Sequence, residues 1–316
     1  MNLSLLFPGQ GCQAVGMGAS LHADYAEARA LFEMADDTLG FALSRICFEG
    51  PAEVLNDTAN TQPAIYASTM ALWAVLGPRI EGIRHHVRFL AGHSLGEFSA
   101  LAAAGALGVA DGLRLVRRRG QAMRDAGETA PGGMAAIIGL DDEAVAAIVD
   151  QANGDDQGLW MANYNAPGQV VIAGHHDKIA RAVELAVERK ARKAVTLKVS
   201  VACHTPIMRQ AGERLAEALH ETPLQRPWAP VVSNAEARPL SDPDEIRSAL
   251  LRQLYSPVRW TESVRLMAAD GVDAVLEIGP KAVVSGLVKR IDRSLARYSV
   301  TDGESAEALD WEALRA

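Results

Sequence analysis

Two patterns in the sequence predict an α/β fold made of a large domain and a smaller one inserted into it. Short apolar runs alternate with helical patterns toward both ends of the chain, as in a mostly parallel, doubly wound sheet. Between them lies a strand–helix–strand–strand–helix–strand order of about 65 residues, the ferredoxin-like (βαββαβ) unit.

The elements follow in order. "LSLLF" (3–7) reads as a buried strand ended by Pro8-Gly9, and "VRFLAG" (87–92) as a second. A helix of small residues, "LGEFSALAAAGA" (95–106), leaves the turn at Ser94. The next helix, "DGLRLVRRRGQAMRDA" (111–126), is expected to open at Asp111 as its N-cap. Composition breaks at "GETAPGG" (127–133). Strand "MAAIIGL", helix "DDEAVAAIVDQA", strands "LWMANYNA" and "QVVIAG", helix "HDKIARAVELAVERKA" and strand "KAVTLKVS" then make the inserted unit. The α/β pattern resumes with strands at "APVVSN" and "AVLEIG". The expected division is therefore a discontinuous catalytic domain, 1–127 and 200–316, around a subdomain at 128–199.

Composition narrows the function. The 316 residues are 49% hydrophobic and 22% charged, with a net charge of −8. That composition favours a packed core, and the acidic balance argues against nucleic acid as principal ligand. Three scattered cysteines with no C-x-x-C suit a reducing cytoplasm and fit neither a disulfide framework nor a metal site. The apolar start has no basic residue and is cut short at Pro8-Gly9, which does not match a signal peptide. The longest apolar region, 90–110, contains His93 and Glu97, so no membrane span is expected.

Gly92-His93-Ser94-Leu95-Gly96 is a Gly-x-Ser-x-Gly pattern. Composition alone produces one in about one chain in ten of this length, so its setting carries the weight. A strand runs into it and a helix runs out, which is the setting of a nucleophile elbow and makes the large domain α/β-hydrolase-like. Ser94 is the candidate nucleophile, and the Leu95 N–H can face a developing oxyanion at the helix N-terminus. The turn after the first strand, "FPGQGCQ", can add a second donor from Gln10. Among eight histidines, His204 is the candidate base: it follows "TLKVSVA" and precedes Thr205-Pro206, an expected helix start. That order places it at a strand's carboxyl end, on the sheet edge that carries Ser94.

Arg119 shares a helical face with Leu115 and Met123, beside Val116 and Ala122. A guanidinium on an apolar stripe needs an anionic partner. Either an internal carboxylate, Glu97 or Asp125, or a substrate carboxylate satisfies that need.

Ordered blocks run nearly end to end: "LFPGQGCQAVGMG", "GPAEVLNDTANTQPAIYA", "GHSLGEFSALAAAGAL", "RRRGQAM", "GGMAAIIGL", "NYNAPGQVVIAG", "VSVACHTPIM", "RQLYSPVRWTESV" and "EIGP". In these blocks the chain resembles the malonyl-CoA:acyl carrier protein transacylases of fatty-acid synthesis and the related polyketide synthase acyltransferase domains. The resemblance implies a ping-pong transfer with malonyl-CoA as donor, an acyl carrier protein as partner, and its phosphopantetheine thiol as acceptor. No cofactor, metal, nucleic acid or membrane is implied, and a cytoplasmic monomer is expected. It further implies that Ser94 carries the malonyl ester, His204 is the base, and Gln10 and Leu95 form the oxyanion hole. Arg119 would pair with the malonyl carboxylate, and the Gln253 carbonyl would orient the histidine in place of a triad acid. Gln62, Met123, Asn165 and Cys203 would line the pocket, with Cys203 near the substrate's alpha carbon. Besides a stand-alone polyketide-pathway acyltransferase, a serine thioester hydrolase and a non-catalytic assembly subunit are the alternatives. The hydrolase lacks an evident triad acid, and the assembly subunit would not need Ser94, His204 and Arg119 intact.

Overall fold

The computed structural model describes residues 1–197, 199 and 201–315. In chain order the strands are β1 (Leu3–Phe7), β2 (Val87–Gly92), β3 (Gly133–Ile138), β4 (Leu159–Ala166), β5 (Gln169–Gly174), β6 (Lys193–Thr196), β7 (Val231–Val232), β8 (Pro239–Leu240), β9 (Ala274–Ile278) and β10 (Ala296–Val300). One sheet has the order β10-β9-β1-β2-β7-β8 and is parallel except for the β7–β8 pair at one edge. The other is antiparallel with the order β4-β5-β3-β6, which is the ferredoxin-like arrangement.

The apolar strands read as continuous runs because the parallel sheet is covered on both faces. Leu3, Leu5 and Phe7 of β1 pack with the helices Thr58–Ile83 and Val109–Thr129. Leu6 points the other way, into a cluster with Trp260, Val264 and Val288. Strand β9 alternates in the same manner, with Leu276 on one face and Val275 on the other. Its Glu277 is fully buried and accepts the N–H groups of Val283, Val284 and Ser285, so a carboxylate caps the helix Val284–Ile291. Strands β1 and β2 are in register at Phe7 and Gly92. The loops bearing Gln10 and Ser94 therefore leave the sheet side by side.

Three expectations change in detail. The helix assigned to 111–126 spans Val109–Thr129 and starts after Gly108, so Asp111 sits in its first turn and is not its cap. The strand expected at "KAVTLKVS" forms over Lys193–Thr196; Lys198 and Ser200 lie outside the described residues. That strand belongs to the antiparallel sheet, so His204 is not delivered from the strand edge that carries Ser94. It comes instead from the connection that leads back to the helix Arg209–Glu221.

Two elements gave no periodic signal. The 26-residue helix Thr58–Ile83 is buried on nearly all sides and accommodates Pro63 and Pro78, so it lacks a polar face to mark its period. Strand β10, "ARYSV", has only its last residue fully buried and carries little apolar signature. Among the described residues, no helix is long and apolar enough to cross a membrane. No group of three or more His, Cys, Asp or Glu side chains among them could hold a metal ion.

Candidate active site

The turn after β2 is tight because two glycines admit backbone where a side chain would collide. A Cβ on Gly92 would lie 1.9 Å from the Gly96 carbonyl, and one on Gly96 would lie 2.2 Å from Phe7 O. The turn places Ser94 at φ 52°, in the left-handed region, at the mouth of the helix Gly96–Ala103. His204 is also left-handed, at φ 62°. Such strain persists only where surrounding structure over-determines it, and here it falls on the two residues that meet. Ser94 Oγ lies 2.8 Å from His204 Nε2.

On its other side the imidazole donates from Nδ1 to the main-chain carbonyl of Gln253 at 2.8 Å. A carbonyl can only accept, so the proton sits on Nδ1 and leaves Nε2 free to take the serine proton. The His204 N–H donates to Leu254 O at 3.1 Å, anchoring the same loop to the same segment. Pro206 opens a short 3-10 turn as expected, but the Thr205 hydroxyl donates to Ala202 O and does not cap it. Burial, and then the Arg119 charge, push the His204 ring down to about 3, so it is neutral at ordinary pH.

Arg119 is 1% exposed. Its Nη1 donates to Gln62 Oε1 at 2.7 Å, and its Nη2 to Gln253 Oε1 at 2.9 Å and to Ser94 Oγ at 3.3 Å. Among the described residues no carboxylate lies within ion-pair distance, and Nε has no hydrogen-bond partner. The internal ion pair is thereby excluded for both candidates. Asp125 pairs with Arg124 and Arg214, while Glu97 accepts from Gln253 and Asn234. Burial lowers Arg119 to about 10, which leaves it charged at neutral pH.

A cavity of about 480 Å³ opens over this group. The large unit contributes Gln10, Ser94, Leu95, Arg119 and Met123; the antiparallel sheet contributes Met134, Asn163, Asn165 and Val171. Asn165 Oδ1 lies 2.7 Å from His93 Nε2, beside the serine. Cys203 lines the cavity next to His204, and burial pushes its thiol up to about 11. Gln62 and Gln253 stand behind Arg119, fully buried, and hold it from two sides. The N–H groups of Gln10 and Leu95 have no partner among the described residues, and both residues line the cavity with Ser94.

Sequence reasoning missed Asn234. Its Oδ1 accepts the Ser94 N–H at 2.6 Å, and its Nδ2 donates to Gly92 O at 2.6 Å. The asparagine ends the expected strand "APVVSN", where nothing local distinguishes it from a turn residue.

The acyl transferase domain family matches residues 5–310. The chain belongs to that family. It is 43% identical over 307 residues to the malonyl CoA-acyl carrier protein transacylase of Haemophilus influenzae, covering 97% of each chain. The crystal structure of an acyl-carrier-protein S-malonyltransferase from Bartonella henselae is 40% identical, with a TM-score of 0.94 and full coverage of both chains. A malonyl-transacylase solved with a type II PKS acyl-carrier protein is 38% identical, with a TM-score of 0.91 over 98% of each chain. The candidate site described above lies within the matched region, and the protein is an acyltransferase.

Proposed function

We propose that the protein transfers the malonyl group of malonyl-CoA to the phosphopantetheine thiol of an acyl carrier protein, through a malonyl ester on Ser94. The observation that carries this reading is Arg119: a buried cation without a carboxylate partner among the described residues, 3.3 Å from the nucleophile. A buried guanidinium with an unused N–H favours an acyl group that brings its own carboxylate.

In the acylation half-reaction, Ser94 Oγ attacks the thioester carbonyl carbon while its proton passes to His204 Nε2. The tetrahedral oxyanion accepts from the N–H groups of Leu95 and Gln10, which are fixed before the charge develops. Collapse breaks the C–S bond, and the imidazolium returns the proton to the departing CoA sulfur. The second half-reaction reverses the roles. His204 takes the proton of the carrier thiol, the thiolate attacks the ester, and Ser94 Oγ leaves with the proton. Arg119 holds the malonyl carboxylate throughout, which orients the carbonyl and favours a charged acyl group over acetyl. Met123, Asn165 and Cys203 shape the space around the acyl chain.

The relatives named for malonyl transfer to acyl carrier protein support the donor and the acceptor. Mixing the protein with malonyl-CoA and then with a holo acyl carrier protein tests the proposal. Malonyl-loaded carrier is the expected product; rapid release of free malonate with an unloaded carrier contradicts it.

A further inference from the structure

Ser94 is tied at both of its main-chain polar groups by side chains from distant segments. Its N–H donates to Asn234 Oδ1 at 2.6 Å, and its carbonyl accepts from Gln253 Nε2 at 2.8 Å. The two holders converge on one atom. The Asn234 N–H donates to Glu97 Oε2 at 3.2 Å, and Gln253 Nε2 donates to the same oxygen at 2.8 Å. The hydrogen bonds therefore close a ring: Ser94, Asn234, Glu97, Gln253 and back to Ser94. Glu97, Asn234 and Gln253 are 2%, 1% and 0% exposed. The Asn234 amide also reaches Gly92 O, so that side chain spans the turn on both sides of the nucleophile.

Glu97 lies in the helix Gly96–Ala103, all of whose residues are buried. A carboxylate placed there costs desolvation, and the reaction derived above gives it no step. It does not pair with Arg119. What it supplies is one oxygen that accepts two amide donors at once, where an apolar side chain would leave both buried N–H groups without that acceptor.

We propose that Glu97 is a positioning residue: it locks Asn234 and Gln253 in the arrangement that keeps Ser94 Oγ aimed at His204 Nε2. The proposal rests on the reading of Ser94 as nucleophile and is independent of which acyl group it carries. Gln253 extends the effect, because its carbonyl holds His204 and its Oε1 holds Arg119. Loosening Glu97 therefore disturbs the nucleophile, the base and the cation together.

The test compares Glu97→Ala, Glu97→Gln and Asn234→Ala with the wild type in two reactions. One is modification of Ser94 by phenylmethanesulfonyl fluoride, an uncharged reagent that makes no use of Arg119. The other is steady-state transfer from malonyl-CoA. A displacement of about 1 Å at a reacting atom costs about a hundredfold, so Glu97→Ala and Asn234→Ala are expected to slow sulfonylation and kcat by about that factor. KM for malonyl-CoA stays within about threefold in Asn234→Ala, whose side chain makes no bond to Gln253 or Arg119, and Glu97→Gln, which keeps an oxygen at the Oε2 position, recovers to within about tenfold of wild type. Sulfonylation within about threefold of wild type in Asn234→Ala overturns the proposal, as does failure of Glu97→Gln to recover. If Glu97→Ala does not fold, Asn234→Ala and Glu97→Gln decide the matter by the same criteria. Failure of the malonyl reading looks different: wild-type Ser94 is sulfonylated at the full rate but forms no malonyl ester.

Discussion

The main-chain carbonyl of Gln253 accepts from His204 Nδ1 at 2.8 Å, where a hydrolase triad would place a carboxylate. A carbonyl fixes the tautomer without adding a negative charge beside the ring. With burial and Arg119 acting against protonation, the imidazole is held down to about 3. Its depressed value sets a sign. The neutral ring contributes stability that is present above the unfolded value of about 6.5 and is lost as pH falls toward the folded value.

Acylation kinetics follow from the same shift. His204 stays unprotonated as pH falls through about 6.5, so kcat/KM for acylation shows no histidine step there. Burial raises Glu97 to about 7, and any step near that pH belongs to Glu97 and disappears in Glu97→Gln. Rapid-quench acylation between about pH 5 and 8 checks this; an acid limb near 6.5 that survives in Glu97→Gln contradicts it.

Arg119→Ala is expected to lower kcat/KM for malonyl-CoA by about thirtyfold or more, since removing one partner of a buried charge pair costs about 2–5 kcal/mol. Acetyl-CoA loses no such partner, so the malonyl-to-acetyl preference collapses. Arg119→Lys does not restore it, because a lysine cannot make the forked contacts to Gln62, Gln253 and a carboxylate together. Competition between the two thioesters measures the ratio.

Cys203 lies in the cavity, but its thiol is held up at about 11, chiefly by burial, with Arg119 opposing. At neutral pH the thiolate fraction is about 10⁻⁴. Cys203→Ser is therefore expected to form the acyl-enzyme at a rate within a few-fold of wild type. Peptide mapping should find no acyl group on Cys203 in the wild type.

Gly96→Ala brings a Cβ to 2.2 Å from Phe7 O, a backbone atom that cannot step aside like the end of a side chain. Overpacking of this kind costs about 1–3 kcal/mol or more, measurable by urea unfolding. Loss of sulfonylation at Ser94 should accompany it, because β1 and the turn must separate to make room.

What was legible in the sequence is local. The Gly-x-Ser-x-Gly turn and the Arg119 stripe are written within one turn or one helix face, and the structure has both. The Ser94 ring is not local: Asn234 and Gln253 bond to Glu97 from 137 and 156 residues away. No spacing rule reaches that far. Thr205 and Pro206 mark His204 in the sequence, yet the strand before it belongs to the other sheet, since a ferredoxin-like unit returns its last strand to itself. The helix Thr58–Ile83 leaves no mark in the sequence because a helix buried on nearly all sides shows no amphipathic period.

The most direct measurement is intact-mass analysis after brief exposure to competing malonyl-, methylmalonyl- and acetyl-CoA, followed by peptide mapping. A single adduct of about 86 Da on Ser94, discharged by a holo acyl carrier protein, is the predicted result. No adduct, or one that maps elsewhere, contradicts the account.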